Sequence, residues 1–555
     1  MENENRLPAK TVFSARAFVI LADMNSAVNP DYLNLFEQYP LAHGMRDISI
    51  CESCSPTDAE GMLEYIRREK MTYACIGWLP FSPYFVRAAE KKGLTARAYA
   101  DWLYRQGKQL NEALGYRAAW IEAYGEIGNS ITWPEKKIFT KKEALEYFRG
   151  WLRDGRMLTE HWQRLMPEDA LNYFKHAKSV DRDLRELPVY YSEGTLFSIQ
   201  EAYRNGFPLV AYEPQCGTMN PTQTGLAFAR GGARMHDALW GVDFSPWTGG
   251  PLGEMSDVDR AGRWYTGVTP DHLFRSWMTA YLMGINTLLH EVSYRFFYAE
   301  PAPGRKILSE YGYLATQFYA ITASVLKDRG TPATPFAVML EEAHGYRGDQ
   351  CRTYDENGRL SSAGVSLHHA VEKRSPGERL FIWNGKVPVT GDDWGIHRLV
   401  QAIWPLAPGG WAEYGAGAWP EQAVDAPGPA KEKRPSLDEL RISEKDPRDY
   451  HRFLALNRWS ECFDFIIETA PAQAIGNYYR VVILAGGIRT TADNWSKLRS
   501  FLECGGEVIA SADQITPEVI EKGPSALPPP SAPLEIKAPP SVEPPAAGLE
   551  KRESA

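Results

Sequence analysis

Five consecutive apolar runs in the first 300 residues stop on or beside a carboxylate. The first carries Glu122 and Glu126, and the next ends at Glu193. Glu213 closes the run Phe207–Tyr212, Asp243 closes Leu239–Val242, and Glu291 closes Ile285–His290. An acid at the end of an apolar strand, next to glycine or proline, is held at a rim where a ligand can reach it. Two such acids can cleave a glycosidic bond, one as general acid and the other as nucleophile or base. Burial beside aromatic rings raises a carboxyl pKa, which is what the general acid needs near neutral pH. Glu213 and Glu291 fit this best, with Glu126 and Asp243 as alternates. Asp243 precedes a glycine-rich stretch, Trp247–Glu254, long enough to shape a cleft.

Sugar rings present apolar faces on which aromatic side chains stack, and the chain holds 17 Trp and 28 Tyr. Tyr212, Trp247, Tyr294 and Trp78 fall close to the acidic strand ends, as does the amide of Asn129; these are the expected substrate contacts. Some of the acids also admit structural roles. Glu122 can pair with an arginine inside a barrel, Glu193 can cap a helix, and Glu126 can close a loop. Arg230, Arg234 and His236 share the sixth helical stretch and are expected to brace the barrel wall rather than touch substrate.

Other chemistries find less support. The sequence has no GxSxG, HExxH, Walker A or EF-hand pattern. Cys51 and Cys54 form a lone CxxC among 7 cysteines, read as structural, and His368–His369 stands by itself. No metal and no cofactor is therefore expected. A net charge of -9 argues against general nucleic-acid binding. No apolar run approaches the length of a membrane span. The first residues lack the basic-then-apolar layout of a secretory signal, which leaves localisation open, periplasmic or secreted if a signal has been removed and otherwise cytoplasmic.

The acids need a scaffold, and the pattern supplies one. Strands are expected at Ala17–Ala22, Asp47–Cys51, Thr72–Trp78, Ala118–Ala123, Pro188–Ser192, Pro208–Glu213, Leu239–Phe244 and Ile285–Glu291. Amphipathic helices separate many of them, among them Thr57–Glu69, Ala96–Leu114, Lys141–Asp154, Ser198–Asn205, Thr224–Asp237 and Asp271–Met283, and Leu308–Lys327 closes the series. Alternation of this kind makes parallel βαβ units, and eight of them over residues 1–330 predict an α/β fold, a (β/α)8 TIM barrel. An open doubly wound sheet is the rival. It would need a glycine-rich phosphate loop after its first strand, and Ala22–Asn25 is not one. The turn-rich segment Lys327–Pro335 marks a boundary. Residues 331–522 then form a smaller α/β domain with a long insertion, its strands expected at Pro335–Leu340, Arg480–Ala485 and Glu507–Ala510. Helices are expected at Asp446–Cys462 and Thr491–Cys504. Residues 523–555 are rich in Pro, Ala, Ser and Glu and are expected to be a disordered tail.

The stretches Tyr479–Gly487, Thr490–Trp495 and Phe501–Ala510 resemble the flavodoxin-like domain that follows the barrel in family 42 β-galactosidases, a pattern related to glutamine amidotransferases. Ala227–Arg234, with Trp240 and Ser245–Trp247, also resembles large uncharacterised bacterial barrel hydrolases. The resemblance implies a glycoside hydrolase barrel acting on an oligo- or polysaccharide, and it suggests a homo-oligomer, a trimer in that family. The chain departs from the galactosidases at their two acids. Gly125–Glu126 stands where they carry Asn-Glu, and the seventh strand carries Asp243 where they carry a glutamate. A non-catalytic carbohydrate-binding barrel is the alternative, since the same fold and aromatic lining would serve it. Amidotransferase activity is not expected, because no Gly-x-Cys-x-Gly elbow accompanies the C-terminal strands.

Overall fold

The computed structural model describes residues 19–22, 48–51, 74–77, 93–95, 98, 119–125, 133–134, 137–153, 189–193, 196–204, 209–213, 222–244, 257–266, 270–290, 297–326, 329–344, 352–354, 379–383, 385–404, 461–517 and 519. The Pro-rich tail and the helices expected at Thr57–Glu69, Ala96–Leu114 and Asp446–Cys462 lie outside these residues, but for Ala98 and for Glu461 and Cys462, which are not helical.

Seven strands come first: β1 (Val19–Ala22), β2 (Ile48–Cys51), β3 (Ala74–Gly77), β4 (Ala119–Gly125), β5 (Val189–Glu193), β6 (Leu209–Tyr212) and β7 (Leu239–Phe244). A small hairpin, β8 (Asp257–Val258) and β9 (Trp264–Thr266), precedes β10 (Thr287–His290). Strands β1 to β7 and β10 are parallel and close into a barrel in chain order, with β10 pairing β1. Each lies within about two residues of its expected bounds, because short β-rich runs between turn formers leave little freedom. The described helices follow the strands: α1 (Lys141–Arg153), α2 (Leu196–Arg204), α3 (Thr222–His236) and α4 (Pro270–Met283). The hairpin β11 (Tyr298–Ala302) and β12 (Arg305–Leu308) leads into α5 (Glu310–Ala320), whose N-terminus is capped by Ser309.

A second, four-stranded parallel sheet follows. It comprises β13 (Phe336–Leu340), β17 (Phe463–Ile467), β18 (Val481–Leu484) and β19 (Glu507–Ile509), in the order β17-β13-β18-β19. By appearance that is 2-1-3-4, the order in which a flavodoxin-like sheet begins. A three-stranded antiparallel sheet, β14 (Arg352–Tyr354), β15 (Arg379–Ile382) and β16 (Val387–Pro388), lies within the long insertion. So does α6 (Gly391–Ile403), started by a capping box between Thr390 and Asp393. The helices α7 (Ala472–Tyr478) and α8 (Ala492–Glu503) complete the second unit.

The two units share one core, and α3 is the joint between them. A helix on a barrel surface ordinarily keeps one face in water. In α3, every residue from Thr222 to Ala233 is buried. One side of it packs on the barrel, where the Tyr212 ring leaves no room for a side chain at Gly225. The other side lies on β17. Phe228 stacks on Phe465 with ring centroids 4.3 Å apart, and a Cβ on Gly231 would come 2.0 Å from the Phe465 carbonyl oxygen. Gly231→Ala is therefore expected to push α3 off the sheet, costing about 1–3 kcal/mol in a denaturant melt.

Buried charge ties the same joint. Asp464, fully buried in β17, accepts from Arg230 Nε at 2.6 Å, Arg234 Nη1 at 2.6 Å and the Tyr479 hydroxyl at 2.9 Å. Arg230 also donates to the carbonyls of Met283, Glu461 and Phe463. Burial works against the charge of Arg234, but Asp464 more than offsets it and holds the guanidinium pKa above its ordinary value. Burial, reinforced by Asp464, pushes the Tyr479 phenol well above its usual range, so it remains a donor. Arg230 and Arg234 were expected to brace the barrel wall; instead they reach outward to Asp464 and the second sheet, because the buried carboxylate of β17 is their counter-charge.

A second charged seam lies at the C-terminal end of β13. Glu342 accepts from Arg149 at 2.6 Å and also pairs with Arg204, while Arg149 grips Glu201 with two bonds of 3.0 and 2.7 Å. Lys141 reaches Asp393 at 2.8 Å and Glu341 at 3.4 Å. Helices α1 and α2, which follow β4 and β5, are thereby fastened to the second unit.

His344 is buried at this seam beside Phe228. Burial first, and the nearby Lys141 charge second, push its imidazole down to about 3. The unfolded chain takes up that proton near the ordinary value of 6.5, while the folded chain does not. The stability held by the neutral ring is thus complete above about pH 6.5 and is lost as pH falls toward 3. The slope approaches about 1.4 kcal/mol per pH unit. Urea melts between pH 7 and 4 should show this slope with a further share from His236, which burial lowers to about 4, and His344→Phe should remove the His344 share and leave the other.

Candidate functional site

The two described candidates, Glu213 and Asp243, lie on neighbouring strands at the same height. Strands β6 and β7 pair with Leu209 opposite Leu239 and Tyr212 opposite Val242, so the next step sets position 213 level with 243. Side chains alternate across a strand. The Tyr212 ring lies against Gly225 of α3, on the helix side, so Glu213 points the other way, into the barrel. Asp243 follows Val242, the partner of Tyr212, and shares that inward face. Both acids are buried, Glu213 at 4% exposure and Asp243 at 7%. Both stand at the C-terminal ends of their strands, the end at which parallel α/β barrels build their sites.

The same alternation places the other strand-end positions. Ser192 pairs with Ala211 and Glu193 with Tyr212, so position 193 sits on the helix-facing side of β5. Between β4 and β5 the register shifts between Glu122 and Tyr124, a bulge that sets Gly125 opposite Ser192. Position 290 pairs with Phe244 on the helix-facing side.

Tyr212 is not where the sequence reading put it. It was expected to line a sugar subsite, but its ring is 3% exposed and fills the layer between β6 and α3. The aromatic type and the position beside an acid suggested a cleft, whereas the glycine at 225 is what makes room for the ring. Glu126, Asn129, Glu291, Trp78, Trp247 and Tyr294 lie outside the described residues, so Glu213 and Asp243 are the candidates brought together here. What sequence reasoning missed is the second layer, with Gly225, Gly231 and Asp464 holding α3 behind β6. A mid-helix GG at 231–232 was the available signal, because paired glycines in a helix interior mark close approach of another backbone.

Among the described residues no group of three or more His, Cys, Asp or Glu side chains is arranged to hold a metal ion. Among the same residues no helix is long and apolar enough to cross a membrane. Chemically, the arrangement offers two inward carboxyl groups on adjacent strands.

No family model matches the chain, and no curated protein matches it. Among solved structures it is similar to an α-L-fucosidase, isoenzyme 2 from Paenibacillus thiaminolyticus, with a TM-score of 0.40 and 11% identity. That match covers 91% of this chain and 65% of the fucosidase, so the chain spans just under two thirds of its neighbour's length.

Proposed function

We propose that this protein is a glycoside hydrolase whose (β/α)8 barrel cleaves an O-glycosidic bond of an oligo- or polysaccharide with paired carboxyl groups. The observation that carries the reading is the placement of Glu213 and Asp243. They are level on adjacent strands, inward-facing and buried at the C-terminal end of a closed parallel barrel. Neighbouring strands lie about 4.8 Å apart. Carboxyl groups carried at one height on such strands fall in the range of about 5 to 9.5 Å that glycosidases use. Glu213, in the apolar wall that ends β6, is the general acid; Asp243 is its partner, as nucleophile or as the base that activates water.

The sugar itself sits over Glu213 and Asp243 and is held by groups on the strand-end loops, where Trp247, Tyr294, Trp78, Asn129, Glu126 and Glu291 are the sequence-derived contacts and alternate acids. The site needs no cofactor for this chemistry. The test is a screen of the wild-type chain against plant, algal and host polysaccharides and aryl glycosides, reading released reducing sugar. Turnover of a glycan that Asp243→Asn slows at least about 100-fold supports the reading. Tight glycan binding by calorimetry with no turnover across the panel replaces it with a carbohydrate-binding barrel.

A further inference from the structure

We propose that Asp464, in the second sheet, is a positioning residue that sets Glu213 through helix α3. The proposal rests on the reading of Glu213 as one of the reacting carboxyl groups. Its basis is a chain of contacts with little slack. Asp464 is fully buried and binds Arg230 and Arg234, four residues apart on α3, each at 2.6 Å. Tyr479 bonds the same carboxylate at 2.9 Å and so fixes its orientation from the second unit. Toward the barrel, α3 carries Gly225, over which the Tyr212 ring lies so closely that a Cβ would come 2.1 Å from it. Tyr212 is the residue before Glu213.

A slide of α3 along the sheet cannot be absorbed at either end. On the β17 side Gly231 rests on the Phe465 carbonyl, and Gly232 lies against the Tyr203 ring. Packed interiors move by discrete shifts rather than by yielding smoothly. Displacing α3 therefore displaces the Tyr212 ring and with it the end of β6. Misplacing a reacting group by about 1 Å costs on the order of 100-fold in rate.

Three variants of the full chain test this: Asp464→Asn, Tyr479→Phe and Thr491→Ala. The last removes the N-cap of α8, a helix that packs on α7 and β19, so it controls for general loss of stability. Amide hydrogen exchange is read by mass spectrometry at residues 209–213 and 287–290, beside thermal midpoints and, on a turned-over glycan, kcat and KM. In Asp464→Asn, exchange at 209–213 should rise at least about tenfold while 287–290 keeps its wild-type rate. The kcat should fall about 10- to 100-fold with KM little changed. Tyr479→Phe should shift the same segment by less, and Thr491→Ala should lower the midpoint yet leave 209–213 and kcat as in wild type.

The proposal is overturned if 209–213 exchanges at the wild-type rate in folded Asp464→Asn, or if kcat in all three variants simply follows the midpoint. Should Asp464→Asn not fold, Tyr479→Phe decides by the same segment-specific criterion. An active Glu213→Gln together with selective loosening at 209–213 removes the acid and keeps the coupling. The two failures are thereby told apart.

Discussion

Glu213→Gln should lower turnover by about 10²- to 10⁴-fold while leaving the thermal midpoint within a few degrees of wild type. The size follows from the role: a positioned acid or base contributes about that much to the rate. The amide keeps the volume and hydrogen-bonding capacity of the carboxyl but can neither give nor take the proton. Glu213 is 4% exposed, so a change of shape would carry a packing penalty, and glutamine avoids it. The pattern of loss identifies the step. An acid that works only in the transition state loses kcat and kcat/KM together, whereas a binding group raises KM alone. Aryl glycosides with good leaving groups refine the assignment, since they need no protonation; the variant should recover most on the most acidic phenol. Full activity of Glu213→Gln on a confirmed substrate would hand the role to Glu291 or Glu126.

Asp464→Ala is expected to cost about 3–5 kcal/mol of stability. Truncation removes the partner of two guanidinium groups and one phenol at once. Arg230 is 2% exposed and retains only carbonyl acceptors for its charge. Desolvated charge without a counterion is what makes breaking such a cluster costly, even where the intact cluster adds little net stability. Chemical melts followed by far-UV circular dichroism measure the loss. A drop below about 1 kcal/mol would mean that the arginines find other acceptors and that the joint is held by packing alone.

Much of the barrel was legible because its information is local. The run Leu239–Phe244 was expected at those bounds and forms β7 over the same residues, and Lys141 opens both the expected and the observed helix. Period-two and period-3.6 patterns need only neighbours in sequence. What was not legible depends on partners far along the chain. Strand β17 reads Phe-Asp-Phe-Ile-Ile, and an aspartate in an apolar run looks like a break until the two arginines that neutralise it are seen 234 and 230 residues away. Tyr212 was misread for the same reason, since Gly225 on another element decides which way a ring beside an acid is used. Helix α6 carries a local signal of its own, since Thr390 and Asp393 spell a capping box ahead of an amphipathic stretch. For the candidate site, alternation named the acids and their level, while the second sheet behind α3 was invisible to any local pattern.

Helix α3 also has a consequence for how the molecule is made. Its inner partners, β6 and β7, emerge from the ribosome close to it, but its outer partner β17 begins more than 200 residues later. At about 5–20 residues per second, that interval lasts roughly 10–50 s. Throughout it the nascent barrel displays Phe228 and the bare glycine backbone at 231 to whatever is nearby. The chain is therefore born with an adhesive strip that only its own last third can cover. A messenger truncated before β17 should yield a product bound by chaperones or lost to aggregation, even though every strand of the barrel has been synthesised.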